Sequence, residues 1–500
     1  MINVYDKYKP LRNALRTLEI ESVLQLVRRK HGEVDSSGRA AIQDRWGSAI
    51  GIVFNWELHL LAREAMLHAG RDPWLRRADR GDLIPLVNHI RRITEEISKR
   101  AIDSGERAMK SLHTLMHQQA RWQNPRDWDR LYRAHRVYGS QLVRDMFEAI
   151  VGTSLPSMIT MAFATAGQAA RVGVVDAAAD YSGVGVTQDE RDAYFAMVGA
   201  SYSEAREALS AAQRYDEGWS HTWNYLEAKP LVCLWDDRPK QFLCPIPELV
   251  LRRVTEGLFY DLAKSGAKYG NAYGLAFQDY VGDVLTVQFK RSSQKVMAEE
   301  EYRVKRDRKD GVDWIVSDAT GHLMIECKTR RMRLDAKITP DSEHLTETLS
   351  DLADSIVQHY RNVHDALECK TAWKPDGLPV YPILVTYEDW YLFAPHVVEY
   401  LDTLVLRKLT ARGLQGLLEE SPYTVTSIAE FEKAGQAIAH VGVGPYFAER
   451  VKRPHRHFGL SAFADEAFPE IVIPYDRLFP NNDQEMLSHL RPLMALPSEI

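Results

Sequence analysis

GVDWIVSDATGHLMIECKTRR, Gly311 to Arg331, is the stretch that decides the fold of this 500-residue chain. It reads as two paired strands around a reversal at Asp318-Ala319-Thr320-Gly321. Period two puts Glu326 and Lys328 on one face of the second strand and Leu323, Ile325 and Cys327 on the other. In a hairpin of this length Asp313 falls across from the region of Glu326. Carboxylates and ammonium groups are rarely buried without something to neutralise them. Two converging carboxylates can bind a hard, oxygen-loving divalent ion such as Mg²⁺. A lysine beside them can orient or help deprotonate a water, or stabilise charge developing on a phosphate.

Working outward, a helix is expected over about 271–285, followed by strands near 286–290, 312–317 and 322–328. A long helix over about 341–367 follows from Leu345, Leu349, Leu352, Ile356, Tyr360, Val363 and Leu367 stepping by three and four. Asp341, after Pro340, is its expected cap. VYPILVTY (380–387) and WYLFAP (390–395) read as strands. The order helix, three strands, helix, two strands is that of an α/β domain.

With these residues in place, the chain resembles the PD-(D/E)XK nuclease superfamily over residues ~265–395, about a quarter of its length. Asp313 matches the motif's Asp, and Glu326-Cys327-Lys328 its (D/E)xK; Val312 stands where the motif's Pro often lies. The family's GxxFExYV-like helix pattern matches Gly274-Leu275-Ala276-Phe277-Gln278-Asp279-Tyr280-Val281, with Gln278 in place of the Glu. Gln278 could ligate through its amide oxygen, or Asp279 could serve instead. Gln358 and Tyr360 lie where related nucleases often place a site-facing polar residue. The resemblance implies a restriction-endonuclease-like mixed sheet flanked by helices. It also implies an Mg²⁺-dependent endonuclease in which Mn²⁺ substitutes and Asp313 and Glu326 hold the metal, one ion or two. Lys328 would then act on the attacking water. The substrate would be nucleic acid, DNA before RNA, in restriction, antiviral defence or repair. Two alternatives stay open: a nuclease-like module that binds nucleic acid or protein without cutting, and an RNA-directed enzyme such as one that cuts transfer RNA.

Five hundred residues are too many for one ordinary core. Residues 1–228 read as an N-terminal helical domain, 229–400 as the nuclease-like domain, and 401–500 as a mainly helical C-terminal extension packed on it. WGSAIGIVFNWELHLLAREAMLHAG, from Trp46, is apolar nearly all round and is expected to be a central helix. The helical domain would recognise substrate, a partner or a second copy of the chain. Near residue 230 the composition shifts to strand, turn at Asp236–Pro239, strand, and a helix opened by Pro247. MITMAFATAGQAARVG, from Met158, is too short to span a bilayer and reads as a buried helix. The N-terminus lacks the apolar core of a signal peptide, and four cysteines without CxxC spacing suit a reducing, cytoplasmic setting.

The formal charge of −6 excludes a globally basic nucleic-acid coat, so any such surface must be local. Between Lys290 and Lys337 the balance reverses, to thirteen Lys or Arg against nine Asp or Glu. Lys305, Arg306, Arg308 and Lys309 contribute, and Arg330, Arg331 and Arg333 are the candidate phosphate contacts. The interleaved Arg121, Trp122, Trp128, Arg130, Tyr132, Arg133 and Arg136 read first as an amphipathic helix and second as a single-strand platform. His113 and His117 have zinc-helix spacing but no third ligand. His455, His457 and the Gly/Val repeats at 183–186 and 441–444 suggest no site. No Walker-type loop appears, so ATP is not implied.

Overall fold

The computed structural model describes residues 3–471 and 478–479, apart from 45, 103–112, 123–127, 292, 299, 305–306, 334–335, 338–342, 393 and 453–454. The expected cap Asp341 and the basic pair Lys305-Arg306 lie outside the described residues. The architecture is mixed α/β, with helices flanking mixed sheets. The described residues form two compact units, 3–102 with 118–269, and 113–117 with 270–479. No single helix among the described residues is long and apolar enough to cross a membrane.

The first unit is largely helical but is not free of strands. Ala49–Phe54, expected to be helical, is a strand paired antiparallel with Arg39–Gln43. The helix begins only at Asn55 and runs to His68. Glu57 sets that start: its carboxylate accepts the Phe54 N–H at 2.9 Å and is held by Arg91 at 2.6 Å, one half of a capping box that fixes the chain's entry. The strands near 230 belong to this unit, in a four-stranded sheet ordered 174–176, 241–243, 231–233, 199–201. The Met158 window lies in a mostly buried helix, Leu155–Arg171, capped by the Ser154 hydroxyl.

The second unit is built on a five-stranded sheet. Its strands are β1 (Lys295–Ala298), β2 (Trp314–Ser317), β3 (His322–Lys328), β4 (Val380–Thr386) and β5 (Thr424–Ser427). Spatially they run in the order β5-β4-β3-β2-β1. The first three form an antiparallel meander, and β3-β4 and β4-β5 are parallel. β4 is buried along its whole length, as a central parallel strand covered on both faces must be. The helices that frame it are α1 (Ala267–Gln288), α2 (Glu343–Leu367), α3 (Pro395–Thr410), α4 (Ile428–Val441) and α5 (Val443–Arg450), beside two shorter ones, Gln415–Glu420 and Leu460–Ala467.

Two expected strands move. Residues 286–288 finish α1 instead of starting a strand, because Gln288 donates at 2.7 Å to the Glu432 carbonyl on α4 and so ties down the last turn. Over its described residues WYLFAP forms no strand: the Asp389 carboxylate accepts the Tyr391 N–H at 2.7 Å, Tyr391 takes φ +45°, and Pro395 opens α3. The sheet edge is supplied instead by β5.

The Gly/Val repeat at 441–444 is a joint. Asp318 in the β2-β3 turn accepts from the Thr320 and Gly321 N–H groups with one oxygen and from the Val443 N–H at 2.8 Å with the other. A Cβ on Gly444 would meet the Thr320 carbonyl at 2.2 Å, so only glycine permits this docking.

Candidate active site at the open end of the central hairpin

The β2-β3 register pairs Trp314 with Ile325, and one further step sets Asp313 opposite Glu326. Asp313 sits just before β2, and its Oδ2 accepts the Cys327 N–H at 2.5 Å. That bond extends the ladder by one rung, with a carboxylate standing in for a backbone carbonyl. Helix α1 closes on this end: the Trp314 indole N–H donates to the Gln278 carbonyl at 3.0 Å. The indole ring lies so close to Gly282 that an added Cβ would meet it at 2.3 Å.

Glu326 is 3% exposed, and its Oε1 takes the Lys328 ammonium at 2.6 Å. Burial works against the charged lysine, but Glu326, and less strongly Asp313, raise its pKa above the ordinary value. Burial also opposes ionisation of Glu326, yet His359 and Lys328 together bring its carboxyl below the usual range. At neutral pH Glu326 is therefore a carboxylate and Lys328 an ammonium, a state in which Lys328 donates hydrogen bonds and accepts no proton.

The second oxygen of Glu326 is different. Oε2 is buried and has no hydrogen-bond partner. Facing it at 3.6 Å is Nδ1 of His359, on α2, which is also buried and unpartnered. The other ring nitrogen, Nε2, lies 3.0 Å from the Met324 carbonyl. The motif reading does not reach His359, although its position carries a signal. Leu345, Leu349, Leu352, Ile356, His359 and Val363 form an unbroken four-three-four-three-four seam, and a histidine sits where every other member is apolar.

Of the supporting residues, Gln278 is half-buried, and Asp279 is exposed, its carboxyl raised by burial and by Asp283. Gln358 is exposed on α2 and does not face Glu326; the neighbouring His359 does. Tyr360 is fully buried, its hydroxyl donating to the Ser421 carbonyl. The arginines divide in the same way. Arg331 has a side chain only 5% exposed, pairs with Glu388 at 2.8 Å and lies over the Tyr387 ring, so it is a packing residue and not a phosphate contact. Arg330 and Arg333 are exposed and pair with Asp351 and Glu347, each at 2.9 Å. Such pairs are weak in water and exchange readily for phosphate.

His113 and His117 stack edge to face at 4.5 Å inside the second unit, with His113 lowered to about 4 by burial and bonded to the Ala336 carbonyl. Among the described residues no three His, Cys, Asp or Glu side chains stand arranged around a common point. Near the C-terminal ends of β4 and β5 lies a small cleft lined by Asp389, Ser427, Glu430, Arg450 and Arg456. No protein-family model matches the chain, and no curated protein or solved structure is significantly similar to it.

Proposed function

We propose that the chain is a metal-dependent nuclease of restriction-endonuclease-like architecture, with Asp313, Glu326 and Lys328 as its catalytic residues. The observation that carries this reading is the buried, unpartnered Glu326 Oε2, held at a strand end beside Asp313 and Lys328. A buried carboxylate oxygen that completes no hydrogen bond and faces only His359 Nδ1 at 3.6 Å costs about 1–3 kcal/mol, and persists where something else uses it. The meander-then-parallel sheet, with the motif at the open end of β2 and β3, supports the same reading.

Asp313 and Glu326 would hold Mg²⁺, with Mn²⁺ able to substitute; bound there, the ion supplies charge neutralisation at the scissile phosphate and a more acidic water. Lys328, kept protonated by Glu326, holds the attacking water or the developing phosphorane charge by donating hydrogen bonds, and is not a general base. The Gln278 backbone carbonyl, which accepts from Trp314, fixes α1 against the strand that follows Asp313. Arg330 and Arg333 supply sequence-independent phosphate contacts. DNA is the preferred substrate class, and a defence or restriction effector the preferred role.

One feature of the sequence favours a silent binding module instead: a neutral Gln278 stands where the resembled family's helix pattern carries a Glu. Incubating the purified chain with duplex DNA, single-stranded DNA and RNA, in Mg²⁺ or Mn²⁺, separates the readings. Metal-dependent cleavage of any of these that vanishes in Lys328→Ala supports the nuclease. Binding without cleavage supports the module.

A further inference from the structure

We infer that His359 is a further protein ligand of the metal site and tunes it toward a transition cation, Mn²⁺ over Mg²⁺. The inference rests on the nuclease reading and deepens it. A backbone carbonyl only accepts, so the 3.0 Å approach to Met324 means that Nε2 of His359 carries the hydrogen. That leaves Nδ1, the nitrogen through which His359 favours the Glu326 carboxylate in the metal-free protein, as the one that faces a cation held by Glu326, the orientation that an N–H bond to a backbone carbonyl imposes on ligating histidines.

Nδ1 points at Glu326 Oε2 across 3.6 Å, too far for a hydrogen bond, and both atoms are buried without one. Two ligands of one cation at bond lengths of about 2.1 Å stand roughly 3.0–3.4 Å apart, so a small approach brings both onto the same ion. The 2% exposure of the His359 side chain holds it in this orientation. An imidazole nitrogen is a poor ligand for Mg²⁺, which prefers oxygen and water, and a good one for first-row transition ions. The seam position of His359 on α2 therefore changes which cation the carboxylates hold.

The test is metal binding by the full-length protein, read by calorimetry for Mg²⁺ and by electron paramagnetic resonance for Mn²⁺. His359→Gln is the primary variant because its amide N–H can still reach Met324; His359→Ala is the second. The expected result is an Mn²⁺ dissociation constant raised at least about tenfold, with that for Mg²⁺ changed less than about threefold. Electron spin-echo spectra of the Mn²⁺ complex should show a ¹⁴N coupling that His359→Gln removes. If Glu326→Gln weakens both ions but His359→Gln moves them equally or not at all, His359 acts only on the carboxylate and the inference is overturned. If Asp313→Asn and Glu326→Gln leave both ions' binding unchanged, the underlying metal-site reading falls and takes the inference with it.

Discussion

The two ends of the β2-β3 hairpin carry the same kinds of side chain to opposite effect. At the turn, His322 is buried with both ring nitrogens engaged, Nδ1 at 2.8 Å from the Ser317 hydroxyl and Nε2 at 2.8 Å from Asp376. Asp318 beside it has both oxygens engaged by backbone donors. At the open end, Glu326 and His359 are equally buried and each leaves one polar atom unbonded. A Ser-His-Asp set at the turn resembles a hydrolytic triad, but its aspartate is the exposed member and its histidine the buried one, the reverse of what nucleophile activation requires. Buried polar groups whose bonds close are architecture. Those left open at matched positions are where chemistry is sought.

The sharpest way to break this contrast is to mutate both ends. Asp313→Asn and Glu326→Gln should each lower the single-turnover cleavage rate by at least about 10²–10³-fold, as expected when a group stabilising transition-state charge is removed. Ser317→Ala and Asp376→Ala should leave that rate within about twofold. Circular dichroism checks that all four variants fold. Asp313→Asn is preferable to Asp313→Ala. Repulsion between the two carboxylates, all that the sequence reveals, would make Ala raise the melting temperature, whereas the bond from the Cys327 N–H makes truncation costly.

Stability should divide the other way. His322→Leu leaves Ser317 and Asp376 without their partner and should cost about 2 kcal/mol in urea unfolding. His359→Leu places an apolar side chain in an apolar seam and removes an unbonded nitrogen. Without metal it should cost less than His322→Leu, because Lys328 still pairs with the Glu326 carboxylate that His359 favours, while binding of Mn²⁺ falls.

A further carboxylate, the half-buried Asp389, extends the contrast. Burial pushes Asp389 up to about 6 from an ordinary 3.8, although Tyr391 and Ser427 donate to it. Because the folded state holds this proton more tightly than the unfolded one, stability is lost as pH rises from about 4 to 6, and the full cost stays above that range. Asp389→Asn should therefore stabilise by roughly 2 kcal/mol at neutral pH, with almost no gain near pH 4, as measured by urea titration across that range. A gain that did not depend on pH would mean that the carboxylate is not the source.

The smallest effect expected is on binding. Replacing Arg330 and Arg333 by Ala should flatten the salt dependence of duplex binding by roughly 0.9 in log-log slope for each phosphate that the variant no longer neutralises. Arg331→Ala should lower stability instead, since its side chain is packed between Glu388 and Tyr387. An unchanged slope in the double variant would make the exposed pair a solvated face.

Much of the second unit is legible in the sequence because local pattern and tertiary role agree there. The β2-β3 hairpin shows its turn and its alternation, α2 shows its apolar seam, and β4 is an unbroken buried run. Where they disagree the sequence misleads. Thr286-Val287-Gln288 look like a strand and finish a helix, because α4 offers the Glu432 carbonyl. β5 is four residues with two threonines, too short and polar to be seen without its partner β4. Ala49–Phe54 is apolar enough for a buried helix, but Glu57 makes the helix start after it. Asp313, Glu326 and Lys328 are visible as a motif, since each lies on the hairpin itself. His359 lies some thirty residues downstream, and only the packing of α2 on β3 brings it to Glu326. The same packing turns Gln358 outward.

Single-turnover cleavage of circular duplex DNA tests whether these strand-end residues form a metal-dependent phosphodiesterase site. Wild type and Lys328→Ala are compared in Mn²⁺ and in EDTA. Wild type is expected to cleave in Mn²⁺ alone, with cleavage abolished by EDTA and lowered by at least about 10²-fold in Lys328→Ala. Equal cleavage by both proteins, or cleavage that persists in EDTA, would contradict this assignment.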